Sequence, residues 1–271
     1  MKKSLLAAAL LAVMGVAQAG VCTLFAKDGT CSFATDTSGG TVIYSNPTNL
    51  SNIGSGTINP FLTSQQNGTE GGVTTDSPIV NTLPLQDKRD NVNTFTTTFT
   101  QNQLGVRTIG GVQYYQFFLD TNEPSSAQDK QISIDTIRIW DAKSAALQLL
   151  TNANVTQFSD IDNLFSSLIY AMGPGNDIVM DGTLFNGSGL GYDLSMLIPV
   201  MDFANVALDS RIIFGVTYGG AGGSATTADG YEEWAYLAGN GPGTTNVPEP
   251  GSLALVGLAL VALGALRYKR V

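Results

Sequence analysis

The chain has 271 residues, and 13 Lys and Arg against 22 Asp and Glu leave a formal net charge of −9 with no histidine. The missing imidazole removes the commonest general base and the commonest transition-metal ligand, and it excludes any Ser-His-Asp or Cys-His catalytic device. An acidic surface repels phosphates, so nucleic acid is not an expected partner.

At the N-terminus, Met1-Lys2-Lys3 forms a basic region, Leu5 to Val16 an apolar one, and Ala17-Gln18-Ala19 supplies small residues before Gly20. This is the pattern of a secretory signal peptide over 1–19, cut between Ala19 and Gly20 and handled by the export machinery. Acylation at Cys22, as in a lipoprotein, is disfavoured by the bulk of Val21 before it. Cys22 and Cys31 are the only two cysteines. In an exported chain they are expected to form a disulfide over Lys27, Asp28 and Gly29, because the Cys-x-x-Cys spacing of redox and metal sites is absent.

Residues 20–246 suit one large β-rich domain, with glycine, threonine, serine and asparagine spread throughout and no long charged or proline-rich linker. Strands are expected at Asn93 to Thr100, Val112 to Asp120 and Ile132 to Trp140, with a slip of phase at Thr136 that reads as a bulge. Ile161, Leu164, Phe165, Leu168, Ile169 and Met172 keep a 3.6-residue period and predict one amphipathic helix, begun by Ser159 with Asp162 and stopped by Gly173-Pro174-Gly175. Asp193 to Val200 and Arg211 to Tyr218 are further strands, the first an edge strand because of Pro199, and Glu233 to Leu237 is a last short one. The expected fold is mainly β: an antiparallel β-sandwich with one helix.

The last segment, 247–271, begins Val247-Pro248-Glu249-Pro250-Gly251, continues without charge from Ser252 to Leu266, and ends on Arg267, Lys269 and Arg270. Residues 252–266 are apolar on every face of a helix, which suits lipid or a protein core. At about 1.5 Å per residue this helix spans roughly 22 Å, short of the roughly 30 Å hydrocarbon core, so it is a marginal anchor. The basic end would stay cytoplasmic, and the two prolines would hold the preceding segment extended and accessible. Motif, apolar span and basic cluster together resemble the PEP-CTERM sorting signal of exported bacterial surface proteins. That resemblance implies an exosortase, an integral-membrane cysteine enzyme, as the processing partner. It also implies transient anchoring in the inner membrane, followed by delivery to the cell surface or extracellular matrix. Within the body, Phe117 to Pro124, Gly187 to Asp193 and Asp229 to Trp234 are similar to the choice-of-anchor domains found with such tails; the likeness implies a β-rich exported domain and no particular chemistry.

With both ends removed, the body keeps eight basic and twenty-one acidic side chains, a net charge of −13. Neutral glycans or divalent cations suit such a surface better than anions do. Asp120, Asn122 and Glu123 offer closely spaced oxygens after a strand, as calcium would require, and Asp160 with Asp162 or Asp177 with Asp181 do the same. Backbone turn chemistry is the alternative reason for all three sets. Paired carboxylates for glycoside hydrolysis are Asp120 with Glu123 or Glu232 with Glu233, but neighbours on a strand point to opposite faces. No enzyme is expected, and no cofactor beyond calcium. The expectation is a non-enzymatic structural or adhesive protein of the envelope or exopolysaccharide matrix. The alternative is a carbohydrate-binding module, calcium-dependent or not, using Trp140, Trp234, Tyr231 and Tyr236 to stack on sugar rings.

Overall fold

A computed structural model describes residues 20–25, 29–34, 40–45, 60–64, 67–68, 70–74, 97–121, 131–143, 157–165, 167–173, 175–182, 192–220, 227–228 and 232–239. Its strands, in chain order, begin with β1 (Val21–Leu24), β2 (Thr30–Ala34), β3 (Thr41–Ser45), β4 (Leu62–Ser64), β5 (Asn67–Gly68), β6 (Glu70–Val73), β7 (Phe99–Thr100) and β8 (Val106–Ile109). They continue with β9 (Val112–Thr121), β10 (Gln131–Asp141), β11 (Leu168–Ala171), β12 (Asp177–Asp181), β13 (Leu194–Pro199), β14 (Arg211–Tyr218), β15 (Thr227–Ala228) and β16 (Glu232–Tyr236). The α-helix α1 (Phe158–Leu164) lies between β10 and β11.

Two sheets form the sandwich. The first runs β1-β12-β10-β14-β6, with β11 on β10 and β7 on β14; the second runs β2-β3-β13-β9-β16-β4, with β8 on β9. Among the described residues the pairing is antiparallel except for β1 beside β12, which is parallel, so the expected antiparallel sandwich is corrected to a mixed one. The slip of phase at Thr136 is a real irregularity, since the β10–β14 register shifts between Ile134 and Thr136.

The inward side chains of both sheets make one core that includes Phe61, Phe99, Phe117, Ile137, Phe214 and Trp234. Phe61 sits at its centre, with ring centroids 4.8 Å from Phe99, 5.3 Å from Phe214 and 5.7 Å from Tyr236. Among the described residues, hydrogen bonds between aromatic side chains cross the core. Tyr44 on β3 meets Tyr170 on β11 hydroxyl to hydroxyl, and Trp234 Nε1 on β16 donates to the Tyr218 hydroxyl on β14 at 2.5 Å. The pairings satisfy polar atoms that would otherwise be costly to bury.

The disulfide Cys22–Cys31 is formed, with its Cα atoms 6.0 Å apart. It joins β1 at the edge of the first sheet to β2 at the edge of the second, so a bond expected to staple the N-terminus also ties the two layers together. Loop-closure models give this short link about 2–3 kcal/mol. The double variant Cys22→Ser, Cys31→Ser is expected to lose that amount in chemical denaturation; an unchanged midpoint would contradict it.

The helix departs from its expectation. It ends at the Phe165 cap, and Leu168 to Ala171 is strand β11, paired with β10. Ile161 and Phe165 cover the outer face of the first sheet with Trp140 and Ile213, whereas Ile169 and Met172 belong to the inter-sheet core. One helical stripe cannot serve two cores on opposite faces of a sheet, so the chain turns and changes to strand. Its start is a capping box of Gln157 with Asp160, not Ser159 with Asp162. Gly173 to Gly175 turns β11 into β12, with Gly175 at φ 76° and Asn176 N–H donating to the Gly173 carbonyl.

Pro199 does not mark an edge. β13 lies between β3 and β9, and Pro199 is its last residue, opposite Tyr114 and beyond the last residue that β3 pairs. A missing N–H is tolerated at that corner. In the expected strand at Asn93 to Thr100, only Phe99–Thr100 is strand, and 93–96 lie outside the described residues. Among the described residues no helix is long and apolar enough to cross a membrane; 252–266 lies outside them.

Candidate functional site

The sequence-expected site residues fall into two groups. Ala19, Val247, Pro248, Glu249, Pro250, Arg267, Lys269 and Arg270, together with Asn122, Glu123, Tyr231 and the helix 252–266, lie outside the described residues. Gly20, Cys22, Cys31 and Asp120 lie within them. Gly20 N–H donates to Asn176 Oδ1 at 3.0 Å, which fastens the residue that follows the expected signal cut beside the start of β12.

Asp120 lies near the end of β9 and faces Glu233 of β16 in the cross-strand register. Both project from the outer face of the second sheet, because Leu119 and Trp234 beside them point into the core. Burial pushes Asp120 up to about 7, and the neighbouring Glu233 adds to the shift. Burial likewise raises Glu233. Tyr192, stacked on Phe118 with centroids 4.3 Å apart, completes this corner.

Asp193 lies beside it. Its Oδ2 accepts from Thr121 N–H at 2.8 Å and from Thr121 Oγ1 at 2.7 Å, which locks the end of β9 to the start of β13. Its pKa is pushed up to about 8, chiefly by burial; the Thr121 hydrogen bonds work against that shift, and Asp120 and Asp181 contribute to it. A carboxyl whose folded pKa lies above its unfolded value binds its proton more tightly in the native state. Stability is therefore full below about pH 4 and is lost as the pH rises through 7 to 8. Asp120→Asn is expected to flatten this part of the melting-temperature profile between pH 5 and 8. A variant profile parallel to the parent's would contradict the assignment.

Two further carboxyls are enclosed in the core. Glu232 on β16 and Glu70 on β6 are 0% and 5% exposed. Ser64 Oγ donates to Glu70 Oε1 at 3.2 Å. Burial raises the Tyr218 hydroxyl, and Glu232 and Glu70 raise it further, so both carboxyls are near it. The sequence reading placed Glu232 and Glu233 on opposite faces, as they are, but did not single out Glu70. Its place beside Tyr218 comes from the β6–β14 pairing, which joins segments far apart in sequence.

Of the other carboxylates expected for calcium, Asp160 and Asp162 have partners of their own. Asp160 caps α1 by accepting from Gln157 N–H. Asp162 Oδ1 accepts from Trp140 Nε1 at 2.8 Å, and its Oδ2 pairs with Arg138. Asp177 and Asp181 occupy opposite ends of β12, too far apart to share one ion. Among the described residues no three His, Cys, Asp or Glu side chains are placed to hold a metal ion.

Trp140 and Trp234 are both fully buried and offer no ring face to a sugar. A described opening lies elsewhere. A cleft of about 320 Å³ is lined by Asp141, Lys143, Ser167, Asp202 and Asn205 on its polar side and by Leu168, Met201 and Val206 on its apolar side. Asp141 Oδ1 is fixed there by hydrogen bonds from Ser210 Oγ and Lys143 N–H, and Lys143 holds a left-handed φ of 37°.

The described strands thus make a two-sheet β-sandwich. A family model describing the PEP-CTERM protein-sorting motif matches residues 246–270. The chain therefore carries a PEP-CTERM sorting signal, which implies export, transient membrane anchoring, processing by an exosortase, and then secretion or surface display. No curated protein and no solved structure matches the chain. The resemblance of the body to choice-of-anchor domains is not confirmed by these comparisons.

Proposed function

We propose that the protein is a non-enzymatic structural or adhesive component of a bacterial envelope or exopolysaccharide matrix, released into it after an exosortase acts on the 247–250 motif. The observation that carries the reading is the sorting motif at 246–270. A closed core supports it, because the enclosed carboxyls of Glu232 and Glu70 are shut off from any polymeric substrate. The absence of histidine also removes the usual acid-base catalyst. Fractionation of the producing cells tests the role: the mature protein should co-purify with the extracellular matrix, and its deletion should weaken matrix cohesion. Recovery entirely as free soluble protein, with cohesion unchanged, would reject it.

A second reading, a carbohydrate-binding module, is favoured by the Asp141–Asp202 cleft. Carboxylate acceptors, lysine and asparagine donors and two exposed apolar side chains, Leu168 and Met201, suit a hydroxylated ring with an apolar face. Trp140 and Trp234 have no part in it. Titration with a panel of monosaccharides, with and without millimolar calcium, separates the readings: saturable binding lost in Asp202→Asn supports the second, and none supports the first.

A further inference from the structure

The β8–β9 hairpin carries an inference beyond the proposed role. Its turn is Gly110-Gly111 at φ 59° and 84°, the two left-handed residues of a type I′ connection, and its register runs Ile109 opposite Val112 through Val106 opposite Tyr115. All four residues of β8 are exposed, and Val106, Ile109 and Val112 are 49%, 37% and 44% accessible. Among the described residues β8 pairs only with β9.

In a two-residue hairpin the residues flanking the turn exchange both hydrogen bonds, and the next pair does not. Ile109 and Arg107 therefore spend their backbone groups on β9, while Val106 and Thr108 present N–H and C=O outward. An exposed edge with branched side chains and outward amides is a template for another strand. Charge selects the strand. Residues 91–119 contain no Asp or Glu and only Arg107, whereas the body's acid excess lies elsewhere. Two copies of so acidic a protein meet least repulsion along this edge.

We propose that the protein self-associates through antiparallel pairing of β8 with β8 of a second copy, on a two-fold axis at Thr108. Outward groups and common faces must match, so the axis passes through a residue. With Arg107 on it, two guanidinium side chains would oppose each other. With Thr108 on it, Thr108 meets its own counterpart, exchanging both hydrogen bonds, and Arg107 lies opposite Ile109. Arg107 is also drawn back over its own sheet, since its Nη1 donates to Gln116 Oε1 at 3.3 Å. A four-residue edge buries much less than the roughly 1,200–2,000 Å² of a stable dimer, so association is expected only at about 0.1–1 mM. Such concentrations suit proteins crowded on one surface.

Sedimentation equilibrium of the mature protein from its producing cells, up to about 1 mM, tests this, with circular dichroism as the check on folding. The parent should dimerise. Thr108→Lys, which sets two ammonium groups on the axis, and Thr108→Pro, which removes the outward N–H without touching the β8–β9 ladder, should each weaken dimerisation about tenfold or more. Under mild oxidation Thr108→Cys should cross-link into dimers and Arg107→Cys should not, as a Cα separation of about 5.5 Å at the axis is within disulfide reach. A monomeric parent throughout the range, folded variants that dimerise like it, or equal cross-linking at 107 and 108 would overturn the proposal.

Discussion

Phe61→Ala is expected to lower the stability of the folded body by about 3–5 kcal/mol, the range for removing a fully enclosed aromatic ring. Against the roughly 5–15 kcal/mol that hold a domain together, that loss brings it close to unfolding. The cause is position. Phe61 is 2% exposed, and its ring meets Phe99, Phe117, Phe214 and Tyr236, which come from β7, β9, β14 and β16 of both sheets. Its own N–H donates to the Trp234 carbonyl and its carbonyl accepts from Thr97 N–H, so the backbone is fixed and cannot close the cavity. Urea denaturation of parent and variant checks the value, and a loss under about 1 kcal/mol would mean that the site collapses.

Asp162→Ala is expected to cost about 2–4 kcal/mol, because it leaves the buried Trp140 Nε1 without its acceptor and Arg138 without its ion pair. The carboxylate is the polar link by which α1 holds the outer face of the first sheet. The half-exposed ion pair contributes modestly, as such pairs do, and most of the loss comes from the indole. Asp162→Asn separates the two, since its amide oxygen still accepts from the indole while the charge is gone; it should cost about 1 kcal/mol. Equal losses in the two variants would place the stabilisation in the ion pair instead.

Much of this frame was legible in the residues. Arg211 to Tyr218 and Val112 to Asp120 are β-branched and aromatic runs long enough to show themselves as strands, and they are strands to within a residue. The cysteine spacing in an exported chain indicated the disulfide, though not that it would bridge two sheets. Ile161 to Met172 misled because a helical period and a helix followed by a strand place apolar residues at the same positions. What separates them is that Ile169 and Tyr170 are needed between the sheets and Ile161 outside them. Pro199 misled because the edge rule concerns strand interiors, and it stands at a strand's end.

The site was less legible. Asp120 was visible as a turn-proximal acid, but its opposite number is Glu233, brought there by the β9–β16 ladder and not by sequence proximity. The tryptophans looked available for stacking because composition says nothing of depth, and both are closed inside. The cleft at Asp141 and Asp202 gathers residues from β10, β11 and the segment after β13, none of which forms a motif by itself. By contrast, the sorting signal is contiguous, so its motif, span and basic end can be read directly from the chain.

Intact-mass analysis of the protein from cells with and without their exosortase tests the sorting account most directly. The account predicts a product ending near Val247 to Pro250 in the parent cells, and retention of the 252–266 span with Arg267, Lys269 and Arg270 when the enzyme is absent. The same trimmed mass from both would contradict it.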